Sequence, residues 1–318
     1  MSHCPEVSVV IVCLNGADVI ENCLKAVLAN DHPSFETIVV NNGSTDATAD
    51  IVSRQFPEVR LINLPKNRGF AGGNNEGIKA SRGEFVVLLN DDTIGSRSLL
   101  AEIVRPMLED PAIGVVGCKI LYPDGKTIQH AGGAIGPNGL TRHIGYEEID
   151  RGQFGQLRDV DYVSGCCMAA RREVFRKIGL LDSRYFPIYY EEVEFCARAR
   201  KAGYRVVFAP GAVLRHLESK TQIRYSARYN YRYNKGRWRF ILKNFSAREI
   251  ARAIRHELKW VWADAGFDTL GYVTALGRAY LATLIRLPMI LYDRKHRFLP
   301  LGDEKGLDQG ALERTERR

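Results

Sequence analysis

A recurrence of short apolar runs rich in β-branched residues, each ending abruptly in a polar cluster, constrains this chain more than any other feature. Val7 to Leu14, Thr37 to Val40 and Phe85 to Leu89 are of strand length and apolar at successive positions, as strands buried on both faces require. Asn15, Asn41-Asn42 and Asn90-Asp91-Asp92 follow them. After the first run, Val19, Ile20, Cys23, Leu24, Val27 and Leu28 form a helical stripe, with Asp18 and Glu21 set three apart as a capping box. A short helix to Gln55, a strand from Val59 to Leu64 and a Gly/Asn-rich segment come before the third run. This alternation predicts a doubly wound α/β sheet, mostly parallel, with helices on both faces and its ligand crevice at the carboxyl ends of the strands. All three polar clusters fall at such ends.

Residues 113–160 are less regular. Tyr122-Pro123-Asp124-Gly125 is a turn, and the glycines from Gly132 to Gly155 predict loops with short strands. Order returns with VDYVSGCCMAA, a helix from about Arg172, and FPIYYEEVEFCARARKAG, an acidic turn opening a helix that Gly203 ends. RVVFAP is a further strand, with His216 just beyond it.

Composition shifts after about residue 217. Lys220, Arg224, Arg228, Arg232, Lys235, Arg237, Arg239, Lys243, Arg248, Arg252, Arg255 and Lys259 stand against only Glu249 and Glu257, and account for much of the net charge of +8. Ser246 and Glu249 form a capping box, and Ile250, Ile254, Leu258 and Val261 an apolar stripe opposite the cations. A second amphipathic stretch runs from Leu270 to Leu287, stopped by Pro288, and Trp238, Trp260 and Trp262 lie in this region. The basic surplus suggests an anionic partner. The seven cysteines are scattered without zinc-ligand spacing and read as buried residues of a reducing compartment. Neither a signal peptide nor an apolar run of about 20 residues is present, so a cytoplasmic protein is expected.

Three groups could carry chemistry. Adjacent Asp91 and Asp92 at a strand end could hold Mg²⁺ or Mn²⁺, hard cations that prefer carboxylate oxygen and leave positions open for phosphate. Glu191-Glu192, with Glu194 behind them, could raise one another's pKa, as a general base near neutral pH requires. The plainer reading is that acidic residues favour a helix N-terminus. His216 is a third candidate ligand.

The ordered segments VSVVIVCLN, VVNNGSTDAT, NRGFAGGNNEGI, FVVLLNDDT, VSGCCMAARREVF and YYEEVEFCARARKAGYRVVFAPGAVLRH resemble family 2 glycosyltransferases of the GT-A fold, within them the rhamnosyltransferase-like branch that builds bacterial surface polysaccharides. The resemblance spans about residues 6–220. It implies a catalytic domain over 1–217, with a nucleotide-sugar half to about 120 and an acceptor half from about 121. A basic helical extension over 218–300 and a flexible tail over 301–318 would follow. By the same resemblance Asp92 is the metal ligand, His216 completes metal binding, and Asn90 and Asp91 face the ribose or diphosphate. Glu192 is the catalytic base, with Glu191 beside it. Val12, Leu14, Asn15 and Asn41 would hold the nucleoside, and Gly69, Gly72, Gly73 and Asn74 would line the donor pocket. Position 41 is usually Asp in the family and the base position usually Asp, so Asn41 and Glu192 are departures.

The implied reaction is metal-dependent inverting transfer of a sugar from a nucleotide diphosphate donor, dTDP- or UDP-linked, to a hydroxyl of a glycan or lipid-linked acceptor. The cationic, Trp-bearing extension would rest on an anionic membrane surface at the inner face of the cell membrane, or pack in a homodimer. Competing readings are a non-catalytic sugar-nucleotide-binding scaffold, motivated by Asn41 and Glu192, and nucleic-acid binding, motivated by Tyr229, Tyr231 and Tyr233 among arginines. No nucleic-acid partner is expected.

Overall fold

The computed structural model of the chain describes residues 6–217, 226–263 and 269–295, with backbone alone for 260–263, 269, 270 and 295. Lys220, Arg224, the expected 301–318 tail and the Trp260 and Trp262 side chains therefore lie outside the described residues.

Strands β1 (Val7–Cys13), β2 (Phe35–Asn41), β3 (Arg60–Asn63) and β4 (Phe85–Asn90) alternate with helices α1 (Ile20–Leu28), α2 (Thr48–Gln55) and α3 (Gly69–Ala80). The strands pair in parallel in the order β4-β1-β2-β3, so the winding reverses between β1 and β4. A crevice opens at the carboxyl ends of strands where the order reverses. Strand β1 explains why the sheet is covered on both sides: Val7, Val9, Ile11 and Cys13 enter one core layer and Val10 the other, with the period of two that a strand imposes.

Two local expectations change. Helix α1 begins at Ile20, and the Gly16 carbonyl accepts from both Val19 and Ile20 N–H, so the Asp18 side chain does not cap it. Glu21 instead pairs with Lys25 at 2.6 Å. The Gly/Asn-rich segment is helix α3, concealed because close packing replaces an apolar stripe. A Cβ on Gly77 would lie 2.2 Å from Val10 Cγ1, and one on Gly73 2.6 Å from Val12 Cγ1.

The second half comprises β5 (Thr93–Gly95), α4 (Leu99–Glu109), β6 (Ile113–Leu121), β7 (Ile128–His130), β8 (Gly133–Ile135), β9 (Thr141–His143), β10 (Arg158–Asp159), β11 (Cys167–Arg171), α5 (Arg172–Ile178), α6 (Glu191–Lys201) and β12 (Arg205–His216). The sheet continues β10-β12-β6-β11-β4, with β11 antiparallel to both neighbours and β12 parallel to β6. The parallel expectation thus holds through the first half, and the second half is mixed.

Among the described residues the extension forms four helices: α7 (Ala227–Asn244), α8 (Ala247–Ala263), α9 (Thr269–Ile285) and α10 (Leu287–Lys295). The Ser246–Glu249 capping box forms, the Ser246 N–H donating to Glu249 Oε2 at 2.7 Å and the Glu249 N–H to Ser246 Oγ at 3.3 Å. Pro288 does not stop the helical run. It occupies the first turn of α10, where proline lacks no needed donor, after a 61° bend from α9.

Three of the expected surface cations are buried. Arg239 lies between Asp182 and Asp293, 2.7 Å from each, Lys243 lies 2.6 Å from Glu194, and Arg237 pairs with Glu257. Asp182 is fully buried, so these pairs lock α7 and α10 to the sheet domain rather than face a headgroup. On α8 the expected apolar stripe faces inward only at Ile250, which packs with Trp238, Ile241 and Ala253, and the Val261 side chain lies outside the described residues. Ala253 and Glu257 are buried, while Ile254 and Leu258 are exposed.

Candidate active site

The loops after β1 and β2 are knitted across the crevice. Asn15, in the left-handed region at φ 54°, accepts from the Thr45 N–H at 2.8 Å, and its own N–H donates to Ser44 Oγ at 2.9 Å. Asn41 is buried; its amide donates to Asn63 Oδ1 at 2.8 Å and accepts from the Ser44 N–H at 3.0 Å. An amide oxygen has a second lone pair, so Asn41 can still accept from a base. Val12 and Leu14 are half-buried at the same end of β1.

The four expected pocket-lining residues of α3 are all buried. A Cβ on Gly69 would meet Pro187 O at 2.8 Å, and Gly73 packs on Val12, so the protein's own packing uses their smallness. Asn74 donates to the Phe70 carbonyl at 3.0 Å.

Across the switch point, β4 delivers Asn90, Asp91 and Asp92. Asp91 is half-buried beside the Cys13 thiol, and a Cβ on Gly16 would lie 2.6 Å from Asp91 Oδ2. Burial raises its pKa to about 6, with the Cys13 hydrogen bond opposing and the Asp92 charge adding to the rise. Asp92 is buried, and its Oδ1 lies 3.0 Å from His216 Nε2. The short strand β5 brings these two together. It pairs antiparallel with the end of β12, His216 opposite Thr93, and the Leu217 N–H donates to the Asp92 carbonyl at 2.9 Å. Asn90 Nδ2 stands 3.4 Å from the same ring nitrogen.

The other ring nitrogen of His216 lies 2.8 Å from Gln129 Oε1, a partner that only accepts, so Nδ1 carries the proton. Nε2 then faces the Asp92 carboxylate at 3.0 Å, an ion pair when the ring is protonated and two ligand atoms for one cation when it is not. Among the described residues no group of three or more His, Cys, Asp or Glu side chains could hold a metal by itself. The donor set fits a cation that completes its coordination with ligand oxygens.

The acidic cluster on α6 divides into three environments. Glu194 is buried in ion pairs with Arg198 at 2.8 Å and Lys243 at 2.6 Å. Glu191 is buried, its Oε2 meets no hydrogen-bond partner among the described residues, and burial and then the Glu192 charge push its carboxyl well above the usual range. Glu192 is half-buried, and burial raises its pKa to about 7, against the opposing pull of its own and the Val193 N–H groups. The three carboxyls thus sit in three environments: Glu194 in ion pairs, Glu191 buried and pushed furthest up, and Glu192 half-buried with its pKa raised to about 7.

Glu192 is tied to the strand end through Ser164–Cys166. A Cβ on Gly165 would lie 3.7 Å from Glu192 Cβ, and the Cys166 carbonyl accepts from the Asn90 N–H at 2.9 Å. His130 Nε2 accepts from the Ser164 N–H at 3.2 Å, and its Nδ1 lies 2.8 Å from His143 Nδ1. Burial, and then the neighbouring His143, hold His130 well below the usual imidazole range, so it stays neutral. Strand β7 therefore holds His216 through Gln129 and the Gly165 turn through His130. Sequence reasoning missed both residues, since a polar pair on a three-residue strand carries no periodic signal.

The turn before Glu191 is strained, with Tyr189 and Tyr190 at φ 92° and 78°, a region that bulky residues occupy only where their surroundings dictate it. The Tyr190 hydroxyl donates to the Gly139 carbonyl at 2.8 Å, and its ring meets Tyr233 of α7 edge-on at 5.1 Å. Tyr189 meets Tyr229 of α7 in the same way at 5.2 Å. Two of the three tyrosines that suggested nucleic-acid binding, Tyr229 and Tyr233, are here the seat of the turn that carries Glu192, while Tyr231 lies beneath Lys235 and Arg278.

Fold and site together define a glycosyltransferase of the GT-A class. The chain belongs to Glycosyl transferase family 2, whose family model matches residues 8–179, a span that ends short of Glu191, Glu192 and His216. It is 31% identical over 233 residues to an uncharacterized protein of Sinorhizobium fredii and 32% over 229 residues to the O-antigen biosynthesis protein RfbC of Myxococcus xanthus. The matches cover 70% and 69% of this chain but 25% and 18% of those proteins. An N-acetylglucosaminyl-diphospho-decaprenol L-rhamnosyltransferase of Mycobacterium tuberculosis is 27% identical over 246 residues, 69% of this chain and 78% of its own. Among solved structures, the Pyrobaculum calidifontis mannosyltransferase in complex with GDP-Man and Mn²⁺ matches at TM-score 0.54 and 22% identity over 90% of this chain and 76% of its own. Staphylococcus aureus TarS 1-349 in complex with UDP-GlcNAc matches at 0.59 and 16% over 90% and 83%. At these identities the structural likeness concerns the fold.

Proposed function

We propose that the chain transfers a sugar from a nucleotide diphosphate donor to an acceptor hydroxyl with inversion, in the synthesis of a cell-surface polysaccharide. One observation carries this reading. A carboxyl with a pKa near 7, Glu192, is joined through Gly165 and Cys166 to the strand end that bears Asp92, where His216 faces it.

Asp92 and His216 would hold Mg²⁺ or Mn²⁺, supported by the solved neighbours that carry Mn²⁺. Such an ion, when bound, offsets the charge that develops on the departing diphosphate. Asn90 and Asp91 flank the diphosphate, while Val12, Leu14, Asn15, Asn41, Gly72 and Asn74 enclose the nucleoside side of the crevice. Glu192 takes the proton from the acceptor hydroxyl, whose oxygen attacks the anomeric carbon opposite the diphosphate, which departs. Holding the reactants in line supplies most of what remains.

The named activity of the mycobacterial relative supports a lipid-linked acceptor and makes dTDP-rhamnose the first donor to test. The extension belongs to the catalytic unit on this reading, since α7 seats the base-bearing turn. A donor screen with the purified chain and Mn²⁺ or Mg²⁺ tests it: slow hydrolysis of one thymidine or uridine sugar is expected, and silence across uridine, thymidine and guanosine donors would refute it.

A further inference from the structure

Helices α9 and α10 pack one side on α7, burying Leu276, Ala279, Thr283 and Ile290, and among the described residues the other side is uncovered. The uncovered side is apolar. Val273, Leu281, Leu284, Ile285, Met289 and Tyr292 project from it at helical spacing, with Leu284 64% and Ile285 70% exposed. An exposed stripe of this length on a folded protein marks a contact surface.

Its charges are of one sign. Between Thr269 and Arg294 the only acidic residue is Asp293, buried with Arg239, whereas Arg278, Arg286 and Arg294 are exposed. Helix α8 adds exposed Ile254 and Leu258 among Arg252, Arg255 and Lys259, with Glu257 buried and the exposed Glu249 confined to its capping turn. A two-fold contact of this face with itself would set arginine against arginine, with no exposed carboxylate between Thr269 and Arg294 to offset them. A surface that is apolar inside and anionic at its boundary complements it.

Among the described residues no single helix is long and apolar enough to cross a membrane, although the bent pair α9–α10 has the length and composition to do so. Its packing argues against insertion across a bilayer, because one side of the pair is committed to α7 through a buried ion pair.

We propose that the uncovered α9–α10 face lies in the plane of an anionic phospholipid surface, with Leu281, Leu284, Ile285 and Met289 entering the acyl boundary and Arg278 and Arg286, exposed at its margin, meeting phosphates. Because α7 carries this face on one side and the Tyr189–Tyr190 turn on another, docking fixes the orientation of the candidate site relative to the lipid. The inference needs only the surface, and stands apart from the chemistry proposed for the crevice.

Co-sedimentation of the full chain with phosphatidylcholine vesicles, with and without phosphatidylglycerol, tests it. Binding is expected only with the anionic lipid and is expected to weaken with salt. The double variant Leu284→Glu/Ile285→Glu should lower partitioning about tenfold or more, and Arg278→Gln and Arg286→Gln about fivefold each. All of these residues are exposed, so donor hydrolysis and thermal stability should stay unchanged. Equal partitioning of variants and parent would overturn the proposal. So would failure of the parent to bind, or light scattering that reports a dimer which Leu284→Glu/Ile285→Glu dissociates.

Discussion

Gly236→Ala perturbs the contact between α7 and the turn that carries Glu192. Gly236 lies in the interior of an 18-residue helix, where alanine is ordinarily favoured over glycine by about 1 kcal/mol. Here a Cβ would stand 2.7 Å from the Tyr189 carbonyl oxygen and 3.2 Å from Tyr190 Cδ2, so helix and turn must separate by several tenths of an ångström. Overpacking of this kind costs about 1–3 kcal/mol. Set against the helical gain, the net loss is about 0–2 kcal/mol, a fall of at most roughly 8 °C in Tm. Catalysis suffers more, because Glu192 is two residues from Tyr190 and misplacement by about 1 Å can cost about a hundredfold. A fall in kcat of about tenfold is expected, with donor Kd unchanged. Thermal unfolding, steady-state kinetics and donor titration measure the three quantities. An alanine variant that gains the full helical stabilisation and keeps parental kcat would refute the reasoning.

Further perturbations separate the roles assigned to the site and the extension. Glu192 must be ionised to act as base and its pKa is raised to about 7, so kcat should rise with a single acidic limb centred near pH 7; a flat profile from about pH 6 to about pH 8 would contradict that role. Gln129→Leu removes the acceptor that fixes the His216 tautomer and should raise the Mn²⁺ concentration for half-maximal activity about 10–100-fold, while Tyr122→Phe, whose ring meets Tyr146, should not. Asp182→Ala leaves Arg239 and Lys243 short of a buried partner and should destabilise the chain by about 3–5 kcal/mol in denaturant unfolding.

The first half of the fold was legible because parallel strands buried on both faces leave a signal in every residue, as in Val7 to Cys13, and each ends where polarity begins. Helix α3 was hidden because its packing face is Gly73 and Gly77, whose contribution is an absence of side chain that hydrophobic spacing does not register. Asp92 and His216 were each visible as candidates, but their meeting depends on β5, three residues whose pairing with β12 has no local signature. The acidic run on α6 looked uniform in sequence, and only burial separates Glu194 in its ion pairs from Glu192 at the crevice. The cations of the extension misled in part for the same reason. Charge counts do not distinguish Arg239, buried between two aspartates, from Arg286 at the surface.

The central claim is that holding the donor and taking the acceptor proton are separate tasks, done by Asp92 and by Glu192. Comparing Glu192→Gln with Asp92→Ala in donor titration with Mn²⁺ and in turnover of the same donor tests this most directly. The account predicts that Glu192→Gln keeps parental Mn²⁺-dependent donor affinity and loses turnover about 10²–10⁴-fold, whereas Asp92→Ala loses Mn²⁺-dependent affinity as well. Parental turnover in Glu192→Gln, or parental Mn²⁺-dependent binding in Asp92→Ala, would contradict it.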